Sequence, residues 1–502
     1  MQCEIAIVGA GPAGLSFARA LAGSGLRVVL VEQAPAASLS SPADDGREIA
    51  LTHRSQQLMR QLGLWDRLRA SEIGLLRDAL VLDGDDREGL LFSHREAGRD
   101  NLGWLVPNHA IRRAAWEAVA GQADLTLLDG VRVAGVSTDA AGAVLSLADG
   151  RSVRAALLVA ADSRFSETRR AVGIRARMHD FGRTMLVCRM RHDTPHRQTA
   201  WEWFRYGQTL ALLPLHDPHV SSAVLTLPQQ EIQRLQALDE AAFNADMQAR
   251  FDGRLGTMAR LAPPVAYPLV GVYAERFIAP RFAAIGDAAV GMHPVTAHGF
   301  NFGLHSVEAL STRLLRARRA GQDCATGAVL RSYERSHQRA TRPLYEATRA
   351  IAGLYGDDRP PARTAQVRAG PRPACLAVPA AGDGRPHRRR GAGDTSRCRC
   401  AVRGLARALR LRPRAAGSSR PRPPRSSRRG STPASRARCA PCRIARWPRR
   451  TPSSRAPART PTAGGRGWCS AKTGRCRHPA RCSAVAPARC RASRSRGCAA
   501  AR

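Results

Sequence analysis

Three glycines and one acid near the start of the chain have the types and spacing of a dinucleotide cradle. They are Gly9, Gly11 and Gly14, in the run Gly9-Ala-Gly11-Pro-Ala-Gly14, and Glu32. In a G-x-G-x-x-G turn the first glycine bends the chain and the second admits a diphosphate to the backbone N–H groups. The third lets a helix lie close on a strand, and the helix N-terminus favours the negative charge. An acid closing the next strand can accept both hydroxyls of an adenosine ribose, and it disfavours a 2′-phosphate. FAD and NAD both satisfy this motif. A second constellation lies at Gly286-Asp287, followed by AAVGMHPVTAHGFNFGLHSVEAL. Asp287 suits a sugar or ribityl hydroxyl, and a helix beginning near Gly299 would place positive potential beside a reduced flavin's pyrimidine edge. His293 and His298 are the ionisable residues of that loop. Either can help deprotonate a phenolic hydroxyl, or serve only as a structural hydrogen-bonding group.

The elements that must carry these residues follow from periodicity. Glu4–Val8 reads as a strand, Pro12 to about Ala22 as a helix and Arg27–Glu32 as a second strand, a βαβ unit around the glycines. Arg54–Arg69 presents Leu58, Leu62 and Trp65 as one helical face, and Ile111–Val119 predicts another helix. Val131–Ser137, Ala143–Leu147 and Ser152–Ala161 predict an antiparallel insert with an Asp149-Gly150 turn, returning to a buried strand before Asp162. Between Arg183 and Leu227 several β-rich runs predict a second sheet, with a helix near Gln230–Phe251. Trp201, Trp203 and Phe204 lie there either as core or as a substrate-facing wall. Phe282–Ile285 predicts a strand delivering Asp287, and closing helices run through Ser332–Ala352.

Charge divides the chain in two. Residues 365–502 hold 35 Arg, one Lys and two acids, a net +34, while residues 1–364 carry only +5. Ten of the 13 cysteines also lie in the tail, leaving Cys3, Cys188 and Cys324 in the body. Three scattered thiols make neither a disulfide framework nor a metal set, so the body is expected in a reducing compartment. The tail is rich in Arg, Ala, Pro, Ser, Gly and Cys without apolar periodicity, and is expected to be disordered. It reads as a frameshifted product of a GC-rich gene or as a genuine basic tail that binds nucleic acid non-specifically. Cys439 and Cys442 make half a zinc site with no second pair at knuckle spacing, so no metal is expected. No apolar run reaches the roughly 18 residues of a membrane span, and no basic leader opens the chain.

Three separated motifs stand in order: GAGPAG with Glu32, LLVAADSRFSETRR at 157–170, and AAIGDAAVGMHPVTAHGFNFGL at 283–304. Together they resemble the class A FAD-dependent aromatic hydroxylases, and within them the ubiquinone-biosynthesis hydroxylase family. The wording of MHPVTAHGFN and ADSRFSETRR is most similar to its UbiM-type demethoxyubiquinol hydroxylase branch. The resemblance spans roughly Cys3 to Arg363. It implies an α/β protein with a discontinuous Rossmann-like FAD-binding domain (1–75, 100–180 and 276–330). A β-sheet substrate domain (76–99 and 181–275) and a C-terminal helical segment (331–364) would complete the body, before the tail at 365–502. Carried over by position, Gly9, Gly11 and Gly14 would line the FAD diphosphate and Glu32 its ribose. Arg47 would contact the phosphate side, with Arg112 or Arg113 as a further FAD contact. Asp162 would lie near the FAD and nicotinamide path, and Asp287 would hold the ribityl chain. Pro294 would sit beside the reactive flavin edge, with Gly299 and Asn301 on the isoalloxazine. Ser163, His298 and His109 depart from the residues common in relatives (Gly, Gln and Arg), and the family's C-terminal end is not recognisable after Arg363.

The implied reaction reduces FAD with NADH or NADPH, or with another donor, and transfers OH from a flavin hydroperoxide to an activated ring. The implied substrate is a polyprenyl phenol or quinol, with demethoxyubiquinol 5-hydroxylation the foremost assignment and O2 the co-substrate. The implied setting is the cytoplasm, at the inner-membrane surface or in a ubiquinone-biosynthesis complex, with no specific nucleic acid. Other classes are weaker. A flavin halogenase needs a lysine beside its oxidant, and the one lysine, Lys472, lies in the tail. A disulfide oxidoreductase needs a close cysteine pair. An isoprenoid double-bond reductase of the same fold is the enzymatic alternative, and an Arg-rich nucleic-acid-binding protein is the non-enzymatic one.

Overall fold

The computed structural model describes residues 1–355, apart from Asp86, Arg87, Tyr206, Val295 and Thr296. The basic tail, its Cys439/Cys442 pair and the expected end of the helical segment lie outside the described residues. The glycine motif sits where expected. The strand Gln2–Val8 runs into the turn, the helix Pro12–Ala20 follows, and the strand Val28–Val31 returns. All three are core-forming: Ile5, Ile7, Phe17 and Leu30 are wholly buried, each worth about 1.5–3 kcal/mol against exposure.

Gln2–Val8 is central in an eight-stranded sheet. It pairs in parallel with Val28–Val31 on one side (Ile5 opposite Val28) and with Ser152–Ala160 on the other (Ile5 opposite Leu157). Leu125–Leu128 extends one edge and Phe282–Ala284 the other, both in parallel. The antiparallel insert is present as Val133–Thr138 and Ala143–Leu147 leading into Ser152–Ala160. Because neighbouring parallel strands end together, the glycine turn, Asp162 and Gly286-Asp287 collect at one sheet edge, where α/β proteins bind ligands.

A second, nine-stranded sheet is built on Ala176–His192, a 17-residue strand paired with Val220–Leu227 and Val265–Ala274. That strand continues through residue 180, with a register irregularity in its pairing between Asp180 and Thr184, so the boundary expected there falls at an irregular point inside one element. Thr199–Arg205, Gln208–Pro214 and Asp78–Asp83 continue the sheet. One of its faces packs Leu186, Leu210, Leu225 and Trp203 against Phe243 and Met247. The helix expected near 230–251 is two helices, Gln229–Ala237 and Glu240–Arg250. Leu238 leaves the helical conformation, and the Asp239 carboxylate caps the second helix by accepting from the Ala242 N–H at 2.8 Å.

The helix expected over 54–69 likewise ends early. His53–Gln61 is helical, Gly63 takes φ +72°, and Trp65 follows in a short 3-10 turn. Glu48–Leu51, Gly103–Pro107 and Gly74–Leu76 form a small third sheet beside the cavity described below. The long helices Gly299–Arg319 and Gly327–Tyr355 close the described part of the chain, and none of its helices is long and apolar enough to cross a membrane.

Candidate active site

The three motif glycines have distinct structural duties. Gly9 takes φ +104°, and a Cβ there would lie 2.6 Å from the Ala161 carbonyl oxygen. At Gly14 a Cβ would lie 1.9 Å from the Gly9 carbonyl oxygen, so only glycine lets the helix seat against the turn. Gly11 is different, because nothing lies within 4 Å of its Cβ position. It caps a nine-residue helix with Pro12 at the first position and no side-chain cap, leaving the helix N-terminus open toward a cavity.

Two cavities meet at this turn. One, of about 480 Å³, is lined by Gly9, Val31, Glu32, Gln33 and Val131–Val136. The other, of about 630 Å³, begins at Gly11 and Pro12 and extends between the second sheet and the loop that carries His293. Asp162 and Ser163 line both. The Glu32 carboxylate is fixed by two backbone donors, Ala10 N–H at 2.7 Å and Ala34 N–H at 2.9 Å. Asp162 accepts from Thr168 N–H at 3.2 Å through Oδ2, while its Oδ1 is buried with no hydrogen-bond partner.

On the larger cavity, the Arg47 guanidinium donates to Asp45 at 2.6 Å and lies 5.3 Å from the Tyr267 ring centre. Burial pushes the Asp45 carboxyl up, but bonds from Arg47 and Asn108 outweigh it and hold the group below the usual range. Asp287 projects from the turn after Phe282–Ala284 and pairs with Arg164 at 3.4 Å. Pro294 is exposed on this cavity beside the buried His293, whose ring meets Phe181 edge-on at 4.5 Å between centres. Burial, with a smaller contribution from His179, pushes His293 down to about 4. Gly299 opens the long helix at the cavity, with nothing within 4 Å of its Cβ position.

Four expected site residues are placed otherwise. Arg113 is committed to Glu72 at 2.7 and 2.9 Å, and neither it nor Arg112 lines either cavity. The His298 ring packs on Phe302 at 5.8 Å, away from the cavity lining. Asn301 spends its amide on the backbone, donating to Ala50 at 2.8 Å and Ala297 at 2.9 Å and accepting from Thr52 N–H at 3.1 Å. It clamps the third sheet to the loop after Pro294 and does not itself line the cavity. Trp203 and Phe204 are core residues, and Trp201 is packed against the core; none of the three forms a cavity wall.

The walls come from residues that carry no motif. Met185, Val187, Leu213, Val224 and Leu269 supply apolar surface from alternate positions of four strands. Two carboxyls stand among them. Glu48 receives Arg189 at 2.8 Å, yet burial pushes it up to about 7 against that pull. Glu202 is pushed up to about 8 by burial.

Comparison with known proteins agrees with this geometry. The FAD binding domain family matches residues 2–348. The chain is 46% identical over 367 residues to ubiquinone hydroxylase UbiM of Neisseria meningitidis serogroup C, covering 72% of this chain and 79% of that protein. It is 29% identical over 332 residues to 3-demethoxyubiquinol 3-hydroxylase of Escherichia coli K12, covering 66% and 84%. The chain belongs to the ubiquinone-biosynthesis hydroxylases, FAD-dependent monooxygenases of class A. The crystal structure of PqsL, a probable FAD-dependent monooxygenase from Pseudomonas aeruginosa, shares the fold. It aligns with TM-score 0.61 and 21% identity over 71% of this chain and 98% of that one.

FAD fits the residues present. The open helix end at Gly11 and the space over it suit the diphosphate, and the Glu32 cavity suits the adenosine. The buried, unpartnered Asp162 Oδ1 lies at the junction the cofactor would cross, where it can accept a hydroxyl hydrogen. Asp287 and Gly299 flank the other side. Cys3, Cys188 and Cys324 are buried and form no disulfide, and burial pushes the first two thiols up to about 11. Such thiols are poor nucleophiles, so they offer no redox pair.

Proposed function

We propose that this hydroxylase acts on a polyprenyl phenol or quinol of ubiquinone synthesis, with demethoxyubiquinol as the foremost substrate. One observation carries the reading. Among the described residues the cavity beyond Gly11 has apolar walls, and both arginines that line it are already paired, Arg47 with Asp45 and Arg164 with Asp287. An aromatic-acid hydroxylase needs a cation for its substrate carboxylate. A neutral quinol with an apolar tail needs none, and it gains about 0.8 kcal/mol for each CH₂ buried.

In this reading Gly9, Gly11, Gly14 and Glu32 bind FAD, and Asp162 and Asp287 orient it. Bound FAD, reduced by NADH or NADPH, supplies the activation of O2. The apolar strands exclude water and hold the ring near Pro294, which favours hydroxylation over loss of peroxide. A His293 held near 4 is a neutral imidazole throughout the physiological range, a better hydrogen-bonding group than a proton store.

The polyprenyl tail keeps the substrate in the bilayer, so the enzyme must meet it at the membrane surface or within a biosynthetic complex. The charge of +5 on residues 1–364 gives modest attraction to anionic lipid, and the cytoplasmic face of the inner membrane is the proposed setting. The test compares a short-chain demethoxyquinol with 4-hydroxybenzoate, under NAD(P)H and oxygen. Hydroxylated quinol with little free peroxide is expected, and product NMR reads the ring carbon, with the 5-position expected. Efficient hydroxylation of the acid alone would overturn the assignment.

A further inference from the structure

Glu202 is an acid in an apolar place. The strand Thr199–Arg205 turns Trp203 into the helix-packed core, where its indole N–H donates to the Gly84 carbonyl at 2.8 Å. The alternation of the strand therefore sends Glu202 to the opposite face, onto the large cavity. Its sheet neighbours are Val81 and Ala211, neither of which can hydrogen-bond through a side chain. Among the described residues its carboxyl has no hydrogen-bonding or ionic partner. Among the described residues it is also the one carboxyl that the second sheet contributes to the cavity lining. Its side chain is partly exposed on the cavity, so a polar group that enters from outside the chain can reach the carboxyl and pair with it.

We propose that the Glu202 carboxyl donates a hydrogen bond to a ring oxygen of the bound quinol and so fixes which ring carbon faces the cofactor. The inference rests on the proposed quinone-type substrate and adds the residue that orients it. Burial pushes the carboxyl up to about 8, so at neutral pH it is mainly an acid O–H, the form that can donate. Other titratable groups around the cavity are Arg47, Glu48, Asp162, Arg164, Tyr267, Asp287 and His293, with Asp83 on the neighbouring strand. Burial alone accounts for the Glu202 shift, with no charge contribution from any of them. Above its folded value Glu202 ionises, loses its donor and repels an oxygen lone pair.

The experiment uses the FAD-loaded full chain and a short-chain demethoxyubiquinone, an oxygen-acceptor probe that does not itself titrate. Binding is read from the perturbation of the flavin absorbance band. For the unaltered protein the dissociation constant is expected to rise about tenfold between pH 7 and pH 9, the loss of one protonated donor with a value near 8. Glu202→Gln keeps an N–H donor and should bind at pH 7 within about threefold of the parent, with a flat pH profile. Glu202→Leu should bind about tenfold more weakly at pH 7 and also be flat. In turnover with the quinol, Glu202→Leu should divide oxygen between peroxide and more than one ring position, which a purely structural residue would not cause. Retention of the parent's pH slope in either variant, or an unchanged product ratio in Glu202→Leu, overturns the role of Glu202. A parent protein that binds FAD but shows no response to the quinone overturns the substrate reading itself.

Discussion

The cofactor cradle rests on Gly11 and Gly14 for opposite reasons, and alanine at each should separate them. At Gly14 the added Cβ would stand 1.9 Å from the Gly9 carbonyl oxygen, more than 1 Å inside the 3.0 Å that real Cβ contacts keep. Backbone opposes backbone there, so the helix Pro12–Ala20 must move as a unit. Its buried Leu15, Phe17 and Ala18 must move with it. Overpacking of this kind costs about 1–3 kcal/mol, so the FAD-free protein should melt several degrees lower. At Gly11 the Cβ enters empty space and the backbone is already extended at φ −68°, ψ 176°. The small loss of capping quality is offset by reduced freedom of the unfolded chain, so the FAD-free melting temperature should stay within about 2 °C. The same methyl group occupies the approach of the diphosphate to the helix N-terminus. Losing one charge-assisted bond of about 1.5–3 kcal/mol should weaken FAD by about 10- to 100-fold. Calorimetry of the FAD-free protein and titration of flavin fluorescence give the two numbers for each variant. Normal FAD affinity in Gly11→Ala, or an unshifted melting temperature in Gly14→Ala, would refute this division of labour.

Other expectations follow from side chains around the cavity. Arg189→Met should destabilise the protein by about 1–2 kcal/mol at pH 8, because the buried Glu48 would lose the Arg189 guanidinium and would have to take up a proton above its own value. That loss should shrink as pH falls below about 7, since protonated Glu48 no longer needs the charge; equal losses in denaturant melts at pH 5.5 and pH 8 would contradict it. Glu202→Gln should stabilise the protein at alkaline pH. A carboxyl whose folded value lies above its unfolded value binds more protons when folded, so stability falls as pH rises from about 4.5 to about 8. After discounting for its partial exposure the gain is about 2–3 kcal/mol at pH 9 and near zero at pH 4. Identical pH–stability curves for parent and variant would be incompatible with a carboxyl whose value is raised by desolvation. Asn301→Ala removes three hydrogen bonds between the segment Ala50–Thr52 and the loop at Ala297. It should lower stability by about 2–4 kcal/mol and raise peroxide leakage, whereas a variant with parental coupling would show the clamp to be dispensable.

The parts of the fold most legible in sequence were those in which local pattern and tertiary contact agree. The βαβ unit around Gly9–Gly14 is one, because the glycine spacing, the apolar strands and Glu32 all demand the same turn. Misplaced boundaries came from residues that end a helix without breaking its apolar period. Gly63 interrupts the face carrying Leu58 and Trp65, and Asp239 restarts a helix as its cap. In the site, position along the chain located the Asp287 and His293 loop on the cavity. Position could not say which way a side chain turns. His298 and Asn301 lie within a few residues of Pro294, yet one packs on Phe302 and the other on backbone. Glu202 had a signal in plain view, an acid alternating with Trp201 and Trp203. Strand period alone assigns two faces without saying which one is core. The helices that claim the tryptophan side lie more than twenty residues further on, so only tertiary packing decides it.

The proposed reaction uses FAD to place one atom of O2 on the ring of a polyprenyl quinol. Turnover of a short-chain demethoxyquinol by the purified, FAD-loaded protein under NAD(P)H and ¹⁸O₂, followed by mass spectrometry, tests it most directly. A product bearing one ¹⁸O atom on the ring, with oxygen consumption matching product, is the predicted result. A product gaining two hydrogens in its prenyl chain without oxygen uptake, or peroxide with no labelled product, would contradict it.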